Sequence, residues 1–343
     1  MGLLRFYFSI LKNFGFIIRG RKLSKIGSLG SLLVFLDSSG ALTYLRKPRT
    51  LEEIAKFLRD IKRTDILLDL MEVLRCEGVL RKMSDGFVLD RNRLEKVKKQ
   101  FEKIRLLKDG SRGVRKAFRN ALGEVAVNIL RGKSYSFSDA SIGMTFLYQT
   151  QSEAYDFGRK LLLELGDARK FRGKVVLDLG CGYGVEPATL YKFFNGQCKL
   201  ILADFFEDVL SRCMLYEFEY GGKKVCLKDL PNLEFKLFDP EFRKPFDLPD
   251  ESVDLVFSFQ LLHWTKYVPE IVSESFRALR RKEKFLVATP LKKGEEVHAT
   301  DVLIKLVGGY KMWSTEEISK FLKDAGFRKV KIWYDNFIVA EKQ

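Results

Sequence analysis

Val175-Val-Leu-Asp-Leu-Gly-Cys-Gly-Tyr-Gly184 is an apolar run that passes through a carboxylate into three glycines at alternate positions. A short, β-branched-rich apolar run that ends in glycines reads as a buried strand followed by a tight turn. Gly180, Gly182 and Gly184 carry no Cβ, so the chain can turn sharply there and bring its backbone close to a ligand. Asp178 sets a carboxylate beside that turn.

Working outward, Leu200-Ile-Leu-Ala-Asp204 is a second buried-type strand ending in an acid, and the Pro187–Phe194 segment between the two suits a helix. A third strand, Leu233–Phe238, ends at Asp239. A fourth, Val253–Phe259, follows the turn-like Leu248–Ser252 and leads into Gln260-Leu-Leu-His-Trp264. In open parallel sheets ligands sit outside the carboxyl ends of the strands, and these four strands deliver polar residues to that edge. A dinucleotide fingerprint, G-x-G-x-x-G, is one competing reading. Its third glycine is missing: counting from Gly180 the position holds Val185, and from Gly182 it holds Pro187. A ligand-free turn would account for the glycines alone, but not for acids at 178, 204 and 239 on successive strand ends.

From about Tyr148 to the C-terminus the chain resembles the class I S-adenosylmethionine-dependent methyltransferases. The resemblance implies an α/β fold with a Rossmann-like seven-stranded sheet and S-adenosylmethionine as cofactor. It implies that the turn of Asp178, Gly180, Cys181, Gly182 and Gly184 lies against the methionine and ribose parts of that cofactor. Asp204, with Phe205 after it, would bind the ribose hydroxyls; Asp239 would lie near the adenine amino group, with Phe238 against the ring. Phe259 and Gln260, at the end of the fourth strand, would border the same site. Phe285–Thr289 reads as the fifth strand, preceded by a helix holding Ile271, Ser275 and Leu279. Arg281-Lys-Glu-Lys284 stands where many relatives carry a proline-glycine-glycine turn and reads as an altered loop. Ser314-Thr-Glu-Glu317 is a capping box opening a helix that Gly326 stops, and Arg328–Trp333 with Asn336–Ala340 reads as a closing antiparallel pair.

At 343 residues the chain is long enough for two domains. Its net charge of +16 is uneven: residues 1–150 hold 30 Lys and Arg against 15 Asp and Glu, and residues 151–343 hold 31 against 30. The densest part is Arg91–Arg119, a field that attracts polyanions or is a solvated helical face. Five cysteines lie without paired spacing, so neither a disulfide framework nor a metal site is suggested, and a reducing cytoplasm is the expected compartment.

In the N-terminal half, Thr50-Leu-Glu-Glu53 is another capping box, opening a helix with Ile54, Phe57 and Leu58 inward. A second helix covers Thr64–Cys76, and Val79–Met83 with Phe87–Leu89 reads as a hairpin. Helix, helix and hairpin make a winged helix. The run resembles the N-terminal domain of many small-molecule O-methyltransferases, where it serves dimerisation; a homodimer is therefore expected. Asp65, Asp69 and Glu72 on its second helix would repel a phosphate backbone. The expected organisation is thus an amphipathic helix in 1–30, a mainly α winged-helix domain over 31–92, a basic helical region over 93–147, and the catalytic domain over 148–343. The segment Leu3–Ile18 is too short and too charged to span a bilayer; it packs on protein, or residues 1–20 rest on a membrane surface.

Methyl transfer from a sulfonium is an in-line displacement, so alignment and exclusion of water dominate, and a base is needed only if the acceptor must lose a proton. His263, just past the fourth strand, is the candidate base, the alternative being a pocket-lining role. In the O-methyltransferases an aspartate usually follows such a histidine; here Trp264 does, as in relatives that methylate carbon or carboxylate. Phe137–Phe157 is the stretch expected to line the acceptor pocket. The expected acceptor is small, aromatic or isoprenoid. Two alternatives stand beside it: a nucleic-acid methyltransferase using the basic half, and a non-catalytic cofactor-sensing regulator.

Overall fold

The computed structural model describes residues 25–102, 112–135, 137, 139–294 and 296–343. Of the amphipathic helix expected over 1–30 only 25–30 lies within the described residues, in a helix that runs on to 38 across the expected boundary at 31; the middle of the basic run lies outside them. The chain divides into two compact units. One holds 150–294 with 313–343; the other holds the described residues up to 149 together with 296–312. The C-terminal domain expected over 148–343 is therefore interrupted, because 296–312 packs with the N-terminal half.

In the first unit a seven-stranded sheet is built from β1 (Val175–Leu179), β2 (Lys199–Asp204), β3 (Leu233–Leu237), β4 (Val253–Phe259), β5 (Leu279–Ala288), β6 (Lys329–Trp333) and β7 (Phe337–Glu341). Their spatial order is β6-β7-β5-β4-β1-β2-β3. Pairs from β5 through β3 are parallel, and β7 runs antiparallel to both neighbours. Strand β1 lies between β2 and β4, where the order reverses, and ligands bind at such switch points. Its flanking helices explain why β1 and β4 read as continuous apolar runs: every residue of β4 is buried, as are Val176 through Leu179.

Helix Glu153–Leu165 precedes the sheet, and Val185–Phe193, Glu207–Met214, Val268–Ala278 and Thr315–Ala325 follow in order. The capping box at Ser314 forms: Ser314 Oγ accepts from Glu317 N at 3.0 Å and Glu317 returns the bond to Ser314 N at 2.8 Å. Gly326 closes that helix at φ 109°, a conformation a Cβ disfavours. Arg281–Lys284, expected as a loop, lies within β5. Val253 faces Leu279 while Leu255 faces Lys284, so the intervening residues bulge from the ladder, with Lys282 at φ 66°.

The second unit is mainly helical. Helices Leu51–Leu58 and Thr64–Cys76 lead into an antiparallel hairpin of Leu80–Met83 and Gly86–Leu89. Arg49 adds a bridge to Phe87, and Thr50 forms its capping box with Glu53. The acids expected to repel phosphate are each neutralised: Asp65 is bound by Arg63 at 2.7 Å and Asp69 by Lys305 at 2.9 Å, and Glu72 pairs with Arg75. Lys305 belongs to helix Ala299–Leu306, which docks on Thr64–Cys76 through that pair; this contact is how 296–312 joins the N-terminal half. A continuous helical run from 112 to 130 widens to a π turn at Ala121–Val125. Among the described residues no helix is long and apolar enough to cross a membrane, and no cluster of three or more His, Cys, Asp and Glu residues could hold a metal.

Candidate functional site

The carboxyl ends of β1, β2 and β4 and the turns after them form the candidate site. All three glycines of the turn hold positive φ: 77° at Gly180, 56° at Gly182 and 99° at Gly184. At Gly184 space is also closed, since an added Cβ would stand 2.5 Å from Tyr216 Cβ. A single carbonyl, Ala203 O, accepts from both Gly180 N at 2.8 Å and Cys181 N at 3.0 Å, which ties the turn to the end of β2. The Cys181 side chain is buried in the hydrophobic core.

Asp204 ends β2 and completes the tie. Its Oδ2 accepts from Gly182 N at 3.0 Å, and its Oδ1 accepts from Phe205 N at 2.7 Å and Phe206 N at 3.2 Å. Those donors favour the ionised form, but burial outweighs them and pushes the carboxyl up to about 6. Asp178 is fully buried at the end of β1, and neither of its oxygens has a hydrogen-bond partner among the described residues. Burial, and then the neighbouring charges of Glu186 and Asp204, hold it well above the usual carboxylate range; Arg159 opposes them. Buried acceptors of this kind are paired in most proteins, so a cationic or donor-bearing ligand group is the partner this geometry fits.

Aromatic side chains line the outer part of the edge. Phe205, Phe242 and Phe246 pack with ring centroids 5.6 to 6.5 Å apart, and Phe238 stacks on Phe246 at 4.2 Å. Such a cluster offers flat apolar faces to a heteroaromatic ring. Asp239 beside it uses both oxygens on its own turn. Oδ1 accepts from Glu241 N at 3.0 Å and Oδ2 from Arg243 N at 3.1 Å, contacts that hold it below the usual carboxylate range. An adenine amino group would have to share those oxygens.

At the end of β4, Phe259 is buried and Gln260 holds φ 63°, with its N–H bound to Ala288 O at 2.6 Å. A non-glycine residue at positive φ stores strain that functional edges often carry. The turn Leu262–Trp264 then buries His263, whose Nδ1 lies 3.3 Å from Thr289 Oγ1. Thr289 follows β5 and is itself buried. Burial alone pushes the imidazole down to about 3, so His263 is neutral at physiological pH and its charged form is disfavoured in this environment. Trp313, from the end of the last connection, fixes this turn by donating Nε1–H to Leu262 O at 2.9 Å.

Three polar groups beside the candidate site are placed there only by the structure. Arg159, Glu186 and Thr289 all stand next to residues expected in the site. Glu186 directly follows the glycine turn, a signal that could have found it; Arg159 sits inside a helix pattern and gave none. The Phe137–Phe157 stretch divides between the two units, with Phe137 and Phe146 packed at 5.6 Å in one and Tyr155 against Phe259 at 6.0 Å in the other.

A sheet of order β6-β7-β5-β4-β1-β2-β3 with acids at the ends of β1 and β2 is a nucleotide-cofactor fold of the α/β class. The cradle fits S-adenosylmethionine in its chemistry. Unpartnered carboxylate oxygens suit a cationic amino acid end, a buried acid suits ribose hydroxyls, and stacked rings suit adenine. Residues 148–332 match the family described as "Methyltransferase domain", and the chain belongs to that family. That domain is of the S-adenosylmethionine-dependent kind. A protein of Mycolicibacterium smegmatis named "Probable S-adenosylmethionine-dependent methyltransferase" is 28% identical over 138 residues, covering 40% of this chain. The match spans 46% of that relative's length. Solved structures reach further in fold. The DszA carbon methyltransferase superposes at TM-score 0.68 with 15% identity, covering 97% of this chain and 93% of its own. The CurJ carbon methyltransferase does so at TM-score 0.66 with 14% identity, covering 98% of each chain. The CMeT domain of the citrinin polyketide synthase reaches TM-score 0.66 at 12% identity, covering 100% and 98%.

Proposed function

We propose that the protein methylates carbon in a small, electron-rich acceptor of the aromatic or isoprenoid class, with His263 taking the proton that carbon loses. The observation that carries this reading is His263: a buried, neutral imidazole past the end of β4, held through Thr289 rather than through an acid. S-adenosylmethionine, when bound, supplies an electrophilic methyl on a sulfonium. Asp204 binds the ribose hydroxyls, Asp178 the amino group, and Phe205 and Phe238 the adenine edge, so the turn at Gly180–Gly184 fixes where the methyl is presented. His263 then accepts the acceptor's proton. The sulfonium's positive charge passes with the methyl to the acceptor and then, as the proton, to His263, so the site's net charge is unchanged by the step. The fold likeness to carbon methyltransferases over nearly the whole chain supports a carbon acceptor, as does Trp264 in place of an aspartate.

The test is a panel of phenols and polyprenylated aromatics, with product analysis by mass spectrometry and NMR. A carbon-methylated product is expected. Turnover with S-adenosylmethionine should fall sharply in His263→Gln while affinity for S-adenosylhomocysteine is kept, because the base acts only after the carbon has taken the methyl. Methyl label found on RNA or DNA, or on oxygen alone, would contradict the reading. The helix–helix–hairpin at 51–89 is assigned to dimerisation as a winged helix; a monomer in analytical ultracentrifugation at micromolar concentration would refute that part.

A further inference from the structure

Arg159 is a buried arginine, 2% exposed, on helix Glu153–Leu165. Its Nη1 donates to Glu186 Oε1 at 3.0 Å, and its guanidinium lies 5.6 Å from the Phe259 ring centre. Asp156 is 4.0 Å from Nη2, and Nε has no partner among the described residues. Glu186, 5% exposed, belongs to the first turn of helix Val185–Phe193, which Gly184 caps. Its Oε2 lies 3.9 Å from where a Cβ on Gly182 would stand, so the carboxylate sits directly against the glycine turn. Asp178 shares the electrostatic field of Glu186, Asp204 and Arg159. Three buried carboxylates therefore surround the turn, and one guanidinium offsets one of them.

Stability gives little reason for this pair. Burying an ion pair costs several kcal/mol in desolvation, and apolar residues of similar volume often stabilise a fold as well or better. Placement gives a better one. We propose that Arg159 is a positioning residue for the cofactor's amino acid end: by holding Glu186 in an ion pair it leaves Asp178, whose oxygens have no hydrogen-bond partner among the described residues, as the carboxylate that receives the cationic amino group. Without the guanidinium, Glu186 competes with Asp178 for that cation from the wrong side of the turn. Without Glu186, the guanidinium turns its charge on Asp178 and competes with the cation instead. The two changes made together restore a single carboxylate and a single cation.

That logic fixes a crossed pattern for binding of S-adenosylhomocysteine by calorimetry. Arg159→Met and Glu186→Gln should each weaken binding about tenfold, and the double variant should return to within about threefold of the wild type. Arg159→Lys, which keeps the charge, should recover part of the Arg159→Met loss. In Arg159→Met, binding should also begin to fail at higher pH than in the wild type. Asp178, facing Glu186 and Asp204 with no cation beside it, keeps its proton longer there. Each variant is compared at matched circular dichroism. Glu186→Gln preserves size, so it decides the matter alone if Arg159→Met does not fold. Wild-type affinity in Glu186→Gln, or a double variant as weak as Arg159→Met, overturns the proposal. A wild-type protein that binds no S-adenosylhomocysteine would instead overturn the placement of the cofactor.

Discussion

Asp204→Asn separates the fold from the cofactor. In the native protein the ionised carboxylate is disfavoured by burial, with its folded value near 6 against 3.8. Because the folded value is raised, the penalty is absent below the unfolded value, grows as pH rises through that interval, and is complete at pH 7. A shift of that size corresponds to about 3 kcal/mol, which the neutral amide escapes. Against this, the amide has one acceptor oxygen. Placed at Oδ1 it keeps the bonds from Phe205 N and Phe206 N, and it turns an NH2 toward Gly182 N. The shift already includes that bond, but the amide leaves the buried Gly182 N–H facing a second donor, and an unmet buried donor costs about 1–3 kcal/mol. The two effects nearly cancel, so urea unfolding at pH 7 should place the variant within about 1 kcal/mol of the wild type. Binding has no such compensation: two ribose hydroxyls lose a charged acceptor. One such bond lost is about 2–3 kcal/mol, or roughly 100-fold in affinity for S-adenosylhomocysteine. Calorimetry on the folded variant reads this directly. Affinity within threefold of the wild type would refute the assignment of Asp204 to the ribose.

Other outcomes follow from the same geometry. Cofactor affinity should fall as Asp204 takes up its proton: with a value near 6, about one carboxyl in eleven is ionised at pH 5, so Asp204 alone gives a loss of about tenfold and protonation of the raised Asp178 adds to it, readable by calorimetry across pH. Gly184→Ala meets both φ 99° and Tyr216 Cβ at 2.5 Å, so a loss of more than about 2 kcal/mol is expected in thermal unfolding. Thr289→Val removes the hydroxyl beside His263 Nδ1 and should lower kcat about tenfold with KM for the cofactor unchanged. Asp239→Asn should leave cofactor affinity within about threefold, since its oxygens serve Glu241 N and Arg243.

The strands of the sheet were legible because their residues are buried on both faces, which makes Val175–Leu179, Leu200–Asp204 and Val253–Phe259 continuous apolar runs with marked ends. The three glycines were legible because positive φ demands them. Both capping boxes were read in place for the same local reason. What escaped was long-range. Arg159 sits mid-helix, where an arginine ordinarily faces solvent, and its partner Glu186 is 27 positions away. Residues 296–312 break the C-terminal domain through contacts such as Lys305 with Asp69, which no local pattern signals. Arg281–Lys284 lacks turn residues and was still expected as a loop; the chain absorbs it as a bulge in β5. The burial of His263, which sets its charge, depends on how its turn packs beside Thr289 and under Trp313.

A crystal structure with S-adenosylhomocysteine bound tests the account most directly. The ribose is expected on Asp204, the amino group on Asp178, and the thioether sulfur facing His263 across the space left for an acceptor. A cofactor whose sulfur points away from His263, or whose ribose leaves Asp204 untouched, would contradict it.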